Sequence, residues 1–139
     1  MPSTTTLTGT YTATVSGVLR TLVITSQNTT SFTIAGTWTS QINGVAATFP
    51  VAGGYVLGGG GNPLSPTIYL SLWGSAQVTA PPGGQPPTMR AVNSITGYCE
   101  PTGATPAGVD QLLVTVSWGQ DMPGRAKNTG AWSVIVLNR

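Results

Sequence analysis

A strand-like pattern occurs twice in the first part of the chain. The segment LTGTYTATVSGV covers Leu7–Val18, and the segment IAGTWTSQINGV covers Ile34–Val45. When the two are aligned, Tyr11 falls on Trp38, and each copy ends in a Gly-Val pair. Alternating residues that lead to a glycine-containing turn are typical of sequential β-hairpins. We therefore expect a closed barrel whose strands direct aromatic side chains to an interior pocket.

The same period-two alternation continues along the chain, without convincing helical spacing in any window. Eight short antiparallel strands suit a sandwich or an up-and-down barrel, and the repeat favours the barrel, which at this strand number can hold one small ligand. The predicted fold is all-β: an eight-stranded antiparallel up-and-down β-barrel, forming a single domain over residues 1–139. The predicted strands are Leu7–Val15, Val18–Ser26, Phe32–Ile42, Ala46–Val51 or Ala46–Leu57, Thr67–Val78, Arg90–Cys99, Gln111–Trp118 and Trp132–Asn138.

Three longer segments between the strands are predicted to be loops. GGYVLGGGGNPLSP is glycine-rich but lacks the Lys-Ser/Thr pair of a phosphate-binding loop, and whether it closes over the barrel mouth stays open. TAPPGGQPPT is expected to be a stiff exposed loop, because proline cannot continue a β-ladder. GQDMPGRAKNTGA is expected to be a long polar loop before the last strand.

The composition favours a folded protein with few charges. Charged residues make up 6% of the chain and hydrophobic residues 40%, with a net charge of +2. Disorder needs the opposite balance. The five bases are scattered and form no cluster that would contact phosphates, so no nucleic-acid partner is expected: Arg20, Arg90, Arg125, Lys127 and Arg139.

No membrane segment or targeting signal is apparent. The sequence has no apolar run of about 18 residues, so no membrane helix is expected. The start, MPSTTTLTGT, lacks the basic-then-apolar pattern of a signal peptide. The compartment stays open, with secretion as one possibility.

Residues for acid–base or metal chemistry are scarce. The chain has no histidine, which excludes Ser-His-Asp and Cys-His arrangements. Its acids, Glu100, Asp110 and Asp121, are separated, so neither a metal site nor a glycosidase carboxylate pair is predicted. Cys99 has no basic neighbour in sequence and is expected to be a buried or half-buried thiol. We expect a protein that is not an enzyme and that carries no cofactor.

Aromatic residues next to small hydroxyls are the features that suggest a binding site. Trp38 and Ser40 are two residues apart on one predicted strand, so they face the same side. Ser71 and Trp73 form a similar pair. If both pairs point inward, the interior has two indole walls with hydroxyls beside them, and most ligand pockets have such a mainly apolar lining. The structural alternative is that each tryptophan only fills the core.

The motifs LTGTYT, IAGTWTS, YLSLW and NSITGY occur in an order that resembles the avidin and streptavidin family. The resemblance covers nearly the whole chain, with a looser match in its last third. Members of that family are eight-stranded barrels, usually tetramers, that bind biotin. The resemblance implies that Trp38 lies where a tyrosine donates to the ureido oxygen. It also places Ser40 on the ureido serine and Trp73 on an aromatic wall.

Other positions depart from the family pattern. Ala13, Gly17 and Ile95 replace a polar residue, a serine and a wall tryptophan, respectively. Each lost buried hydrogen bond costs about 1–3 kcal/mol, so biotin binding is expected to be weakened. By position, Asn93 replaces a threonine, Trp118 could partly substitute for a missing tryptophan, and Ser133 matches the ureido aspartate on one alignment. The ligand-binding residues expected are Trp38, Ser40, Trp73, Asn93, Trp118 and Ser133.

The expected function is therefore non-catalytic binding of a small molecule in the barrel mouth, with biotin as the candidate. A homo-oligomer, tetramer or dimer, is expected because the last two strands carry apolar residues on both faces. Two alternatives stay open. Exposed aromatics would favour a carbohydrate-binding (lectin-like) or structural β-protein, and an apolar cavity holding Cys99 or Tyr69 would favour a barrel-shaped cyclase.

Overall fold

A computed structural model shows a closed antiparallel β-barrel. It describes residues 5–42, 45–58, 67–79, 88–100, 108–121 and 132–139. The eight strands are β1 (Gly9–Val15), β2 (Val18–Asn28), β3 (Thr33–Ile42), β4 (Val45–Leu57), β5 (Ile68–Thr79), β6 (Thr88–Cys99), β7 (Gln111–Asp121) and β8 (Trp132–Asn138).

Each strand pairs with the next one along the chain, and β8 pairs with β1 to close the barrel. All of these pairings are antiparallel. The prediction of an all-β, eight-stranded up-and-down barrel is confirmed. Within the described residues, no helix is long and apolar enough to cross a membrane.

The turn between β1 and β2 shows how the repeated pattern makes a hairpin. Val15 pairs with Val18, which leaves Ser16 and Gly17 as a two-residue turn. Both have positive φ, 51° and 78°, as a type I′ turn requires. In the second copy, Ile42 pairs with Val45 in the same way, although Asn43 and Gly44 between them lie outside the described residues.

The barrel interior holds one continuous hydrophobic core. Alternate residues of each strand point inward, so side chains from all eight strands meet there. The two repeated aromatics, Tyr11 and Trp38, are both completely buried in it. The remaining buried hydrophobic residues are Leu7, Leu22, Ile24, Ile34, Phe49, Val51, Tyr55, Ile68, Leu70, Leu72, Ile95, Cys99, Val109, Leu112, Val114, Val116, Ile135 and Leu137.

Several strand ends differ from the sequence-based prediction. β4 ends at Leu57, the longer of the two predicted ends, so the first part of the glycine-rich segment belongs to a strand and not to a loop. Asp121 likewise ends β7 instead of lying in a polar loop. Phe32 is not on the inner face of β3; it precedes that strand in a turn, with a φ of 56°. The remaining parts of the predicted loops, 59–66, 80–87 and 122–131, lie outside the described residues.

The two ends of the barrel are named here after the arginine that lies at each. The Arg20 end holds the β1–β2 turn, the start of β2 and the start of β8. The Arg139 end holds the start of β1, the end of β2 and the residue after β8.

Candidate functional site

Trp38 and Ser40 lie together inside the barrel near the Arg20 end. Trp38 has no exposed surface, and Ser40, which carries a hydroxyl, is 7% exposed. Both project from the inner face of β3, where Trp38 pairs with Leu22 on one side and Phe49 on the other. The side chains of this pair therefore point inward, which is the condition that the sequence left open.

Ser133 faces the same interior from β8. It pairs with the buried Val116 and is half-buried itself. Its hydroxyl lies 3.5 Å from Nη1 of Arg20, which donates to it. Ser133 therefore contacts Arg20, one of the five bases that are scattered along the sequence.

Arg20 is the site residue that sequence reasoning missed. It stands two residues before Leu22 and four before Ile24 on β2, and both of those are buried in the core. Strand alternation therefore places Arg20 on the inner face, and this signal was present in the sequence. It pairs with Ala13, and one further step in the β2–β3 register sets it beside Ser40.

The structure locates Asn93 and Trp118 through their backbones. Asn93 lies in β6, between Gly74 of β5 and Trp118 of β7. The two residues are therefore direct neighbours across the β6–β7 ladder. Their side chains lie outside the part that the structure describes.

Trp73 does not face the interior, which corrects the expected wall of the pocket. Its side chain is 62% exposed, whereas its neighbour Leu72 is completely buried. β5 carries large apolar residues on both faces, and the barrel buries the aliphatic face that includes Leu70 and Leu72. Ser71 shares the outward phase of Trp73.

The exposed aromatics instead surround a groove on the outer surface of the barrel, called the outer groove below. Its volume is about 1420 Å³. Small residues of adjacent strands form its floor, where Gly54 pairs with Ser71 and Ser71 pairs with Thr96. The described residues that line it include no charged side chain. Its aromatic walls are Phe32, Tyr69, Trp73 and Tyr98.

At the Arg20 end, two buried donors lack hydrogen-bond partners. Trp38 Nε1 and Arg20 Nε are both shielded from solvent, and neither has an acceptor among the described residues. Indole and guanidinium groups can only donate. Arg20, Trp38, Ser40 and Ser133, called the donor cluster below, thus bring together groups that can donate hydrogen bonds.

At the Arg139 end, buried polar groups are paired within the chain. The Tyr11 hydroxyl donates to the Leu7 carbonyl at 2.8 Å, and the Leu7 N–H donates to Oε1 of Gln27 at 2.8 Å. Gln27 Nε2 donates in turn to the Thr5 carbonyl and the Tyr55 hydroxyl. Burial raises the pKa of Tyr11 to about 12, so this hydroxyl stays protonated as a donor at neutral pH.

Arg139 seals the same end. Its Nη2 donates to the Thr8 carbonyl at 2.9 Å, and its guanidinium carbon lies 5.9 Å from the centre of the Tyr11 ring. Gly9 leaves room for it: a Cβ there would lie 3.0 Å from Nη2, and its φ of 152° also disfavours other residues. This end is closed by structural contacts.

The described residues hold little catalytic equipment. Cys99 is buried, as expected, and burial raises its thiol pKa to about 12, so it stays a protonated, poor nucleophile. It borders a cleft of about 810 Å³ near the Arg139 end that also includes Glu100 and Asp110. Tyr69 faces outward, so it does not lie in an interior cavity as the cyclase alternative would require. Within the described ranges, no group of three His, Cys, Asp or Glu could hold a metal ion.

The described residues form an eight-stranded up-and-down β-barrel with a cluster of polar side chains on its inner face near one end. No protein-family model, curated protein or solved structure matches this chain.

Proposed function

We propose that this protein is a non-catalytic binder of a small molecule, which it holds inside the barrel at the Arg20 end. The observation that carries the proposal is the Trp38 indole, which is completely buried while its Nε1–H lacks an acceptor among the described residues. A buried donor without a partner costs about 1–3 kcal/mol. A ligand that brings an acceptor to this position would recover that free energy.

Biotin is the first candidate ligand. Its ureido oxygen is an acceptor of the kind that the donor cluster lacks, and Trp38 and Ser40 occupy the positions that the resemblance to the avidin family assigns to that contact. Two features argue for reduced affinity. Trp73 is not available as an interior wall, and Ala13 and Ile95 offer neither a hydrogen bond nor an aromatic face.

Titration of biotin into the purified protein, followed by tryptophan fluorescence and calorimetry, tests this function. We expect saturable quenching with one site per chain. Trp38→Phe should remove most of the quenching, whereas Trp73→Phe, the matched change on the outer face, should leave it intact. Ser40→Ala should weaken binding without abolishing it. The absence of any response at millimolar biotin, in both signals, would rule out biotin as the ligand.

The outer surface of β7 and β8 supports a homo-oligomer, a dimer or tetramer, as part of the proposal. Val134 and Val136 are exposed on β8, and Leu113 lies beside Val136 on β7. A row of apolar side chains on a sheet face is stabilised when another surface covers it. Light scattering coupled to size exclusion gives the oligomeric state, and Val136→Lys should shift it toward the monomer. A wild-type monomer at all concentrations would contradict this part.

A carbohydrate-binding function is the second candidate, and the exposed Trp73 is the observation that favours it. Trp73 and Tyr69 are four residues apart on β5, about 13 Å along the strand, with Ser71 between them on the same outward face. Aromatic faces separated by hydroxyls, in an uncharged groove, suit a short neutral oligosaccharide.

Affinity electrophoresis in gels that contain soluble neutral β-glucans tests the second candidate. We expect retardation of the wild-type protein if the outer groove binds glycans. Trp73→Ala should abolish the retardation, and Trp38→Phe should not. Equal migration of all three proteins in every gel would count against this function.

A further inference from the structure

Arg20 is a partly buried cation on the inner face of the barrel, and its Nε is shielded from solvent. It shares the inner face of β2 with Leu22, which has no exposed surface. Its neighbour across β1 is Ala13, which offers no acceptor in its side chain. The one hydrogen bond of its guanidinium among the described residues is the 3.5 Å contact from Nη1 to Ser133.

The two acids whose side chains the structure describes both lie away from Arg20. Glu100 and Asp110 both lie near the Arg139 end, beside Arg139 and Cys99. Asp121 ends β7 on the Arg20 side of the barrel, where its backbone pairs with that of Arg90, and its side chain lies outside the part that the structure describes. A buried charge without a counter-ion is strongly unfavourable, so proteins retain one where something else supplies the opposite charge.

The chemistry of the donor cluster specifies what that partner must be. Arg20 can only donate, in a planar fork that matches two oxygens of a carboxylate. Trp38 adds one more N–H that lacks an acceptor. The hydroxyls of Ser40 and Ser133 can also donate. An uncharged carbonyl would satisfy one donor and leave the positive charge uncompensated, whereas a carboxylate satisfies several donors and the charge together.

We infer that the ligand of the Arg20 end is an anion, and specifically a small carboxylate whose charged head enters the barrel and contacts Arg20. This inference rests on the proposed function, because it names the chemical class of the molecule bound at that same site. It differs from recognition of an uncharged ureido group, which the resemblance alone would imply. Leu22 and Phe49 are completely buried, so the inner side of this partly exposed charge is less screened than it would be in water, which strengthens an ion pair there.

A matched pair of ligands tests the role of charge. Sodium hexanoate and hexanamide have similar size and shape, and they differ in the charge of the head group. Each is titrated into ¹⁵N-labelled protein while the indole Nε1–H resonance of Trp38 is followed by NMR. That resonance is assigned by its loss in Trp38→Phe. We expect hexanoate to shift it saturably, with an affinity at least about tenfold above that of hexanamide, which corresponds to about 1.4 kcal/mol.

Variants of Arg20 then assign the preference to this residue. Arg20→Gln should bind hexanoate and hexanamide equally, and Arg20→Lys, which keeps the charge, should retain a preference for hexanoate. Asp121→Asn should leave hexanoate affinity unchanged. A marked increase in that variant would show that Asp121 already neutralises Arg20 and would overturn the inference.

The outcomes separate this inference from the proposed function. Equal affinities in the wild-type protein, or a preference for hexanoate that persists in Arg20→Gln, would overturn the inference alone. The uncharged biotin methyl ester could shift the Trp38 resonance while neither hexanoate nor hexanamide does. That result would also overturn the inference alone, because it would still support ligand binding in the barrel. No Trp38 response to any of the three compounds would overturn both.

Discussion

The two ends of the barrel differ in whether their buried polar groups have hydrogen-bond partners. At the Arg139 end, the Tyr11 hydroxyl and the Gln27 amide have partners in the chain, and Arg139 donates to the Thr8 carbonyl. At the Arg20 end, Arg20 Nε and Trp38 Nε1 are equally hidden from solvent but lack acceptors among the described residues. The buried donors at the Arg139 end are paired within the chain, whereas two buried donors at the Arg20 end have no acceptor among the described residues.

This difference separates residues that stabilise the fold from residues that suit a ligand. Polar groups that are paired inside a protein make it more stable, whereas unpaired ones lower its stability and are typical of functional sites. The comparison therefore predicts different responses to substitution at the two ends. It also predicts different responses on the inner and outer faces of the same barrel.

The largest expected difference in the free energy of unfolding is between substitutions of an inner and an outer tryptophan. Trp38→Ala removes a completely buried indole and should lower the free energy of unfolding by about 3–5 kcal/mol. Trp73→Ala removes a mostly exposed one and should change it by no more than about 0.5 kcal/mol. Urea unfolding followed by circular dichroism measures both. Similar losses in the two variants would contradict the inward and outward assignments.

A smaller effect is expected from a single hydroxyl at the Arg139 end. Tyr11→Phe keeps the ring but removes the donor to the Leu7 carbonyl, so it should lower the free energy of unfolding by about 1–3 kcal/mol. Tyr69→Phe, the same change on the outer face, serves as the control and should have almost no effect. If Tyr11→Phe is as stable as the wild type, the hydrogen bond from the Tyr11 hydroxyl does not stabilise the fold.

Alkaline pH should lower the free energy of unfolding, because two buried groups near the Arg139 end have raised pKa values. Burial raises the pKa of Cys99 from 9.0 to about 12 and that of Tyr11 from 10.0 to about 12. Above pH 9, the unfolded chain therefore loses these protons before the folded chain does. The stabilisation is complete below about pH 9 and is lost as the pH rises towards 12, with a decrease of about 1–2 kcal/mol at pH 10.

Denaturant titrations at a series of pH values measure this slope. Cys99→Ala and Tyr11→Phe should each flatten it between pH 9 and 12, whatever their effect at pH 7. Arg20→Gln is the control from the opposite end and should leave the slope unchanged. A wild-type protein whose stability does not fall over this range would contradict burial of both groups.

The fold was largely predictable because alternation and turn residues agree along most of the chain. In β3, the strand order of Ile34, Trp38 and Ser40 gave the correct inner face. In β5, the same reasoning failed, because Tyr69 and Trp73 alternate with Leu70 and Leu72 and both faces are apolar. Hydrophobic alternation cannot select the inner face in such a strand. The three-dimensional closure of the barrel decides it.

The site was predictable only in part. Trp38, Ser40 and Ser133 do face the interior, but Arg20 was overlooked because isolated basic residues are usually exposed. Its phase relative to Leu22 and Ile24 predicts an inward position. The absence of a partner for its Nε depends on which side chains of other strands come near, which no local pattern contains.

The smallest expected effect is also the sharpest comparison, since it exchanges the same residue type at the two ends. Arg139→Met removes donors to the Thr8 and Val109 carbonyls and should lower the free energy of unfolding by about 1 kcal/mol. Arg20→Met removes a partly unpaired charge from the interior and keeps its apolar volume. It should leave the free energy of unfolding unchanged or raise it by up to about 1 kcal/mol. Urea unfolding in a buffer free of carboxylates measures both, and hexanoate should reduce the difference between wild type and Arg20→Met by stabilising only the wild type. A loss of stability in Arg20→Met as large as that in Arg139→Met would mean that Arg20 is paired within the folded chain, and the contrast between the two ends would fail.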